Sequence, residues 1–192
     1  YAWRVYAWTE GTAIPAGSGY APALVNLAPA HALSTGQGVV VAVVDTGVQA
    51  DHPALRSALV PGLDLVDGDD VAAETSNGLD DDGDGTVDEG AGHGTHVAGV
   101  VLQVAPGARI MPVRVLDDDG SGTMRAVAEG MMWAASHGAQ VVNASLGTHG
   151  SAELLKDAVA RVTASGTVVV GAAGNDGKDR RMFPAAAPAA IA

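Results

Sequence analysis

Four short segments hold the residue types that could do chemistry. Val43-Val44-Asp45-Thr46-Gly47 ends a β-branched run on an aspartate. In an open α/β sheet, ligands and reacting groups collect at such carboxyl ends. A turn acid before a glycine is equally ordinary, so Asp45 alone decides nothing. Gly92-His93-Gly94-Thr95-His96-Val97-Ala98-Gly99 sets His93 among glycines at the start of an apolar helix, with Gly94 and Gly99 allowing close backbone approach. That setting is unusual for a packing histidine and marks His93 as a candidate acid–base group. His96, three residues on, is expected on the packed side of the helix. A zinc pair with His93 lacks both a third ligand and the His-Glu-x-x-His spacing. Val168 to Asn175 reads as a buried strand ending in small residues, Ala173 and Gly174, and an amide donor, Asn175. Val142-Asn143-Ala144-Ser145-Leu146-Gly147 closes another strand with residues small enough to flank an extended peptide. Each of these two has a plain alternative: a Gly-Asn-Asp-Gly turn and a strand-to-helix turn.

A fifth segment, Asp80 to Glu89, suits metal rather than acid–base work. Asp80, Asp82, Asp84, Thr86 and Asp88 alternate along it, with Gly85 at the sixth position, close to an EF-hand loop. Hard oxygen ligands at alternate positions suit calcium. The twelfth position is Ala91 rather than Glu and no amphipathic helices flank the loop, which favours a single loop site over a complete EF-hand. The alternative is a solvated acidic insertion. Asp117-Asp118-Asp119 reads as a solvated loop face, with a second cation site as the lesser reading.

The elements that must position these residues are legible from periodicity. Near-continuous apolar runs at Val39–Val44, Ile110–Val115, Gln140–Ala144 and Thr167–Ala172 read as strands covered on both faces. Helical spacing separates them. One helix is expected to begin near His93. A second spans about 123–137, buries Val127, Met131, Ala134 and Ala135, and stops at Gly138. In a third, Ser151 is the expected N-cap, Leu155, Ala158, Val159 and Val162 form the stripe, and Gly166 the left-handed end. Strands alternating with helices make the class α/β, around a parallel sheet.

Composition removes other functions. The chain has 192 residues, 47% apolar, enough for one domain with a core. Its longest apolar run, Val39 to Val44, is far short of a membrane span. Net charge is −12, but residues 64–89 hold 11 of the 22 acids and no Lys or Arg, so the acidity belongs to one segment. The absence of a basic stripe argues against a nucleic-acid partner and points toward cation binding instead. No cysteine is present, which excludes disulfides and thiolate chemistry. Residues 1–20 read as an entry arm or propeptide remnant, with a Gly/Pro/Ser stretch from Gly11 to Gly19, and residues 21–192 as the domain. The chain opens at Tyr1 without an initiator Met or a charged n-region followed by an apolar h-region, so no signal peptide is expected within it, and the apolar Ile191-Ala192 predicts that the natural domain continues.

Taken together and in this order, Val-Val-Asp-Thr-Gly, His-Pro-x-Leu (52–55), Gly-His-Gly-Thr-His-Val-Ala-Gly, Val-Ala-Pro (104–106), Asn-x-Ser-Leu-Gly and Ala-Ala-Gly-Asn resemble the subtilisin-like serine peptidases, or subtilases, from about residue 21 onward. The resemblance implies a three-layer, doubly wound, mostly parallel sheet with helices on both faces, truncated on the C-terminal side to about two thirds of a catalytic domain. It implies peptide hydrolysis through an acyl-enzyme, with Asp45 as triad acid, His93 as general base and Asn175 as oxyanion donor. Ser145, Leu146, Gly147, Ala173 and Gly174 would line the cleft for a polypeptide substrate. The chain's own propeptide would be a second partner, structural calcium the cofactor, with no organic cofactor, and the extracellular space the location.

The family's nucleophile lies in Gly-Thr-Ser-Met-Ala, downstream of the oxyanion Asn, and no residue after Asn175 is Ser. Ser121 in Gly120-Ser121-Gly122 precedes that segment and matches a glycine-rich loop bordering the cleft. The isolated chain is therefore expected not to hydrolyse peptides. The calcium site that follows His-Pro in the family loses its Asp to Ala54. An aspartic peptidase also uses Asp-Thr-Gly, but needs two aspartates sharing a proton and leaves His93 unexplained. The non-enzyme alternative is a calcium-binding pseudopeptidase module.

Overall fold

The computed structural model describes residues 20–149, 152–175, 177 and 181–192. The arm expected over 1–20 and the Ser151 cap fall outside the described residues, apart from the backbone of Tyr20. Two short helices come first, α1 (Tyr20–Leu24) and α2 (Leu27–Leu33), neither expected from the sequence. His31 of α2 places Nε2 2.9 Å from the Val104 carbonyl.

Five strands then build one parallel sheet: β1 (Val40–Asp45), β2 (Leu63–Asp64), β3 (Arg109–Arg114), β4 (Val141–Ala144) and, after a gap, β6 (Val168–Gly171). A separate antiparallel ribbon joins β5 (Thr148–His149) to β7 (Met182–Phe183). The four expected strands lie within a residue of their predicted starts. Strands β2, β5 and β7 are two residues each, too short for alternation to reveal.

The sheet order is β2-β3-β1-β4-β6, all parallel. Helix α3 (His93–Val104) connects β2 to β3, α4 (Met124–Ser136) connects β3 to β4, and α5 (Glu153–Ala164) lies between β4 and β6. Side chains of β1 divide by parity. Val41 and Val43 pack with Ala98 of α3, Leu55 and Ile110; Ala42 and Val44 pack with Val127, Met131 and Ala134 of α4 and Val159 of α5. Helix α3 thus covers one face and α4 with α5 the other. From β1 the chain passes to β2 at the edge, returns to β3 beside β1 and then crosses β1 to β4, so the order reverses around β1. Crevices in doubly wound sheets open at that reversal, outside the carboxyl ends of the strands.

Helix ends follow their chemistry. Thr123 caps α4, its hydroxyl accepting from the Ala126 N–H at 3.0 Å, and Gly138 follows with φ +94°. On α4, Val127, Met131 and Ala134 are buried and Ala135 half-buried. All four stripe residues of α5 are buried and Gly166 has φ +95°. The cap position of α5 is Ala152, which has no side chain to serve it. On α3 the buried residues are Gly94 and Ala98. His96, about 200° round the helix from Gly94 at 100° per residue, is exposed rather than packed.

Candidate active site

Strand β1 ends at Asp45, which is fully buried and whose Oδ1 is met locally. The Thr46 N–H donates to Oδ1 at 2.8 Å, and His93 Nδ1 lies 2.6 Å from the same oxygen. Carboxylate Oδ2 is buried with no donor among the described residues. His93 is the first residue of α3, and Gly92 before it has φ +90°, a turn that favours glycine. Gly94 explains how helix and strand come so close. A Cβ there would lie 2.0 Å from the Gly47 carbonyl oxygen and 3.3 Å from the Asp45 Cβ, so any side chain would push the imidazole off the carboxylate. Gly99, expected to serve the same purpose, faces open space.

Because Nδ1 faces Asp45, the tautomer with a proton on Nδ1 is favoured, leaving Nε2 as a base. The ring is 19% exposed, open on one side and held on the other. Burial alone would lower the His93 pKa. The hydrogen bond that Nδ1 donates to Asp45, and the charges of Asp45 and Glu74, outweigh it and hold the imidazole above its ordinary value.

The remaining expected site residues stand on the same sheet edge because the strands are parallel. Val43 pairs with Asn143 and Ala144 with Gly171, which brings the ends of β1, β4 and β6 level. Beyond β4, Ser145 is half-buried, its hydroxyl accepting from Asn143 Nδ2 at 2.9 Å, and the Leu146 side chain is sunk in the larger core. Beyond β6, Ala173 and Asn175 are exposed and Gly174 half-buried. Met182 of β7, which drew no attention in the sequence, packs against both segments. A Cβ on Gly147 would lie 2.6 Å from its Cγ, and one on Gly174 2.9 Å from its Cε.

Comparison with known proteins matches this arrangement to one family. A model described as "Subtilase family" covers residues 36–192. The chain belongs to the subtilases. Over 183 residues this subtilase is 40% identical to thermitase of Thermoactinomyces vulgaris, covering 90% of the chain and 60% of thermitase. It is 38% identical over 160 residues to subtilisin BL of Lederbergia lenta, covering 79% of the chain and 53% of that protein. Among solved structures, a cold adapted subtilisin-like serine proteinase superposes with a TM-score of 0.68 at 35% identity, covering 82% of this chain and 55% of that one. The chain thus spans between half and three fifths of these relatives.

The acidic segment of this subtilase is organised rather than loose. Carboxylate oxygens of Asp80, Asp82 and Asp84 lie within 4.8 Å of one another, all three residues on the surface side of the loop. Asp80 also accepts from the Gly83, Asp84 and Gly85 N–H groups, at 2.7, 3.1 and 2.9 Å, which curls the loop around it. Thr86 and Asp88 do not join the three. The Thr86 N–H donates to Asp84, and Asp88 accepts from the Asn77 and Gly78 N–H groups. Three converging carboxylates are the donor set of a hard cation.

Asp117-Asp118-Asp119 departs from expectation. Asp118 and Asp119 are buried, not a solvated face. Asp119 accepts from the Asp88 N–H at 2.6 Å, the Asp82 N–H at 3.3 Å and the Asp81 N–H, while Asp118 accepts from the Asn77 N–H at 2.7 Å. They satisfy the backbone of the acidic loop, which has few acceptors of its own. The counter-charge is Arg114, buried at the end of β3, with Nη1 at 3.0 Å from Asp64 and 2.6 Å from Asp67 and Nη2 at 3.4 Å from Asp118. A single basic residue closing a strand beside a segment devoid of Lys and Arg was the available signal.

Proposed function

We propose that the protein is a serine endopeptidase that cleaves polypeptides through an acyl-enzyme, and that residues 1–192 carry the acid, the base and the oxyanion donor. The observation that supports this best is the 2.6 Å contact between His93 Nδ1 and buried Asp45 at the sheet's point of reversal. A serine hydroxyl is a weak nucleophile near neutral pH and needs an imidazole beside it. In this reading His93 Nε2 takes the serine proton as Oγ bonds to the scissile carbonyl carbon. Asp45 compensates the imidazolium, and the Asn175 amide donates to the oxyanion. The proton then passes to the leaving amine as the C–N bond breaks, and water repeats the sequence on the acyl-enzyme. The nucleophile comes from residues outside 1–192, since no Ser follows Asn175.

Calcium fits the Asp80, Asp82 and Asp84 set, where it would neutralise loop repulsion without touching the reaction. Family and calcium loop together support an extracellular setting; among the described residues no helix is long and apolar enough to cross a membrane. The non-catalytic module is not favoured, because a buried carboxylate held on an exposed-edge histidine serves no packing purpose. The test reads the coding frame beyond Ala192 for Gly-Thr-Ser-x-Ala and treats both proteins with a serine-directed fluorophosphonate. Labelling of the extended protein, lost on substitution of that Ser, is expected; labelling of the 192-residue chain alone would overturn this division of roles.

A further inference from the structure

Glu74 belongs to none of the motifs that drew attention in the sequence, yet it touches two of them. It is half-buried on the segment between β2 and α3. Its Oε1 accepts from the Thr46 hydroxyl at 2.7 Å and its Oε2 from the Thr95 hydroxyl. Each hydroxyl oxygen is used again: Thr46 Oγ1 accepts from the Gly94 N–H at 3.0 Å and Thr95 Oγ1 from the Gln49 N–H at 2.8 Å. The backbone around Glu74 is seated as well, with Val48 N–H donating to the Ala72 carbonyl at 3.0 Å. Thr46 follows the acid directly and Thr95 lies two residues beyond the base. One carboxylate therefore spans the end of β1 and the first turn of α3, the two pieces whose separation sets the Asp45–His93 contact.

We propose that Glu74 is a positioning residue for the Asp45–His93 pair, its carboxylate clamping the Thr46 and Thr95 hydroxyls so that imidazole and acid stay in register. The proposal rests on the catalytic reading of that pair. Asp45 beneath the ring and Glu74 beside the Asp45–His93 junction are the acids that bear on His93 among the described residues, so Glu74 adds field as well as geometry. Around Glu74 itself stand Asp45, the two threonines and the Gly92 N–H. Burial raises its pKa against the opposing hydrogen bonds, so the clamp weakens on acidification sooner than an exposed glutamate would.

Glu74→Gln keeps shape and one acceptor while removing the charge and leaving one hydroxyl without an acceptor. Two NMR readouts in the full chain test it: the titration midpoint of His93, assigned by the resonance lost in His93→Ala, and the downfield Nδ1 proton of its hydrogen bond to Asp45. Lowering of the midpoint and broadening of that proton are expected. Wild-type values for both would overturn the proposal. Should Glu74→Gln fail to fold, Thr95→Val, which removes one arm and no charge, is expected to broaden the Nδ1 proton; an unchanged resonance there is equally fatal. Neither readout needs turnover, so a protein that failed to cleave peptides would refute the enzymatic reading and leave this one standing. In an active protein, Glu74→Gln lowers kcat on the order of ten- to a hundredfold with KM little changed, and moves the acid limb of kcat/KM to lower pH.

Discussion

At the scale of single residues, the proposed chemistry rests on a carboxylate kept out of water against an imidazole. Asp45→Asn preserves size but offers an amide where Nδ1–H needs an anion, and it favours the wrong tautomer. Peptide hydrolysis by the extended protein is expected to drop by roughly 10⁴-fold, measured as kcat, the magnitude known for this substitution in a serine protease of another fold. Folding stability carries the same signature. His93 has a folded pKa above the unfolded value of about 6.5, so its contribution is complete below pH 6.5 and disappears as pH rises through the folded value. Urea midpoints of wild type and His93→Gln, taken across pH 5 to 9, should accordingly lie furthest apart at the acid end and converge at the alkaline end. A gap independent of pH would show that the pair contributes nothing through charge.

The elements hold those residues by close approach, and two glycines on one helix separate that effect from mere flexibility. Gly94→Ala drives a Cβ into the Gly47 carbonyl and is expected to cost about 1–3 kcal/mol in urea unfolding, with hydrolysis lost as well. Gly99→Ala meets open space inside the same helix and should stabilise by about 0.5–1 kcal/mol, leaving catalysis intact. From the sequence the two look alike, both flanking the histidine motif. Only the packing of α3 on β1 tells them apart. The long strands and helices were readable because burial on both faces or on one stripe imposes a period. Two-residue β2, β5 and β7 have none, and α1 and α2 bury little beyond Leu27. Asp45 and His93 were visible through their glycine surroundings. Glu74 and Asp119 were not, because what they do depends on partners tens of residues distant: Glu74 on Thr46 and Thr95, Asp119 on the loop amides around 81–88.

Taken whole, the molecule is a nearly neutral α/β body with an acidic loop pinned to one end by Arg114, Asp118 and Asp119. A cation bound by Asp80, Asp82 and Asp84 stabilises the folded state by mass action, about 2.7 kcal/mol at a hundredfold excess over Kd. Chelation is therefore expected to lower Tm in the wild type and to do nothing further in an Asp80→Asn, Asp82→Asn double variant; identical chelator responses in both would remove the site. Asp119→Ala strands several loop N–H groups and should cost about 1–3 kcal/mol while making residues 77–88 susceptible to added protease.

The loop's position has a further meaning for encounter. Strand β2 delivers the chain to the same edge that carries Asp45, and the segment ends just before His93, so the acids of residues 64–89 that Arg114 does not pair lie on the stretch joining that edge to His93, while the rest of the chain nearly cancels. Such a lopsided field reaches roughly 10 Å into solution at 0.1 M salt and farther in dilute buffer. In the proposed reaction, kcat/KM at low ionic strength is expected to be higher for basic peptides, drawn toward the open side of the imidazole before contact, than for acidic ones. On that expectation, preference among peptides would be set partly by approach rather than by pocket shape, and would fade as ionic strength rises or as bound cations discharge the loop.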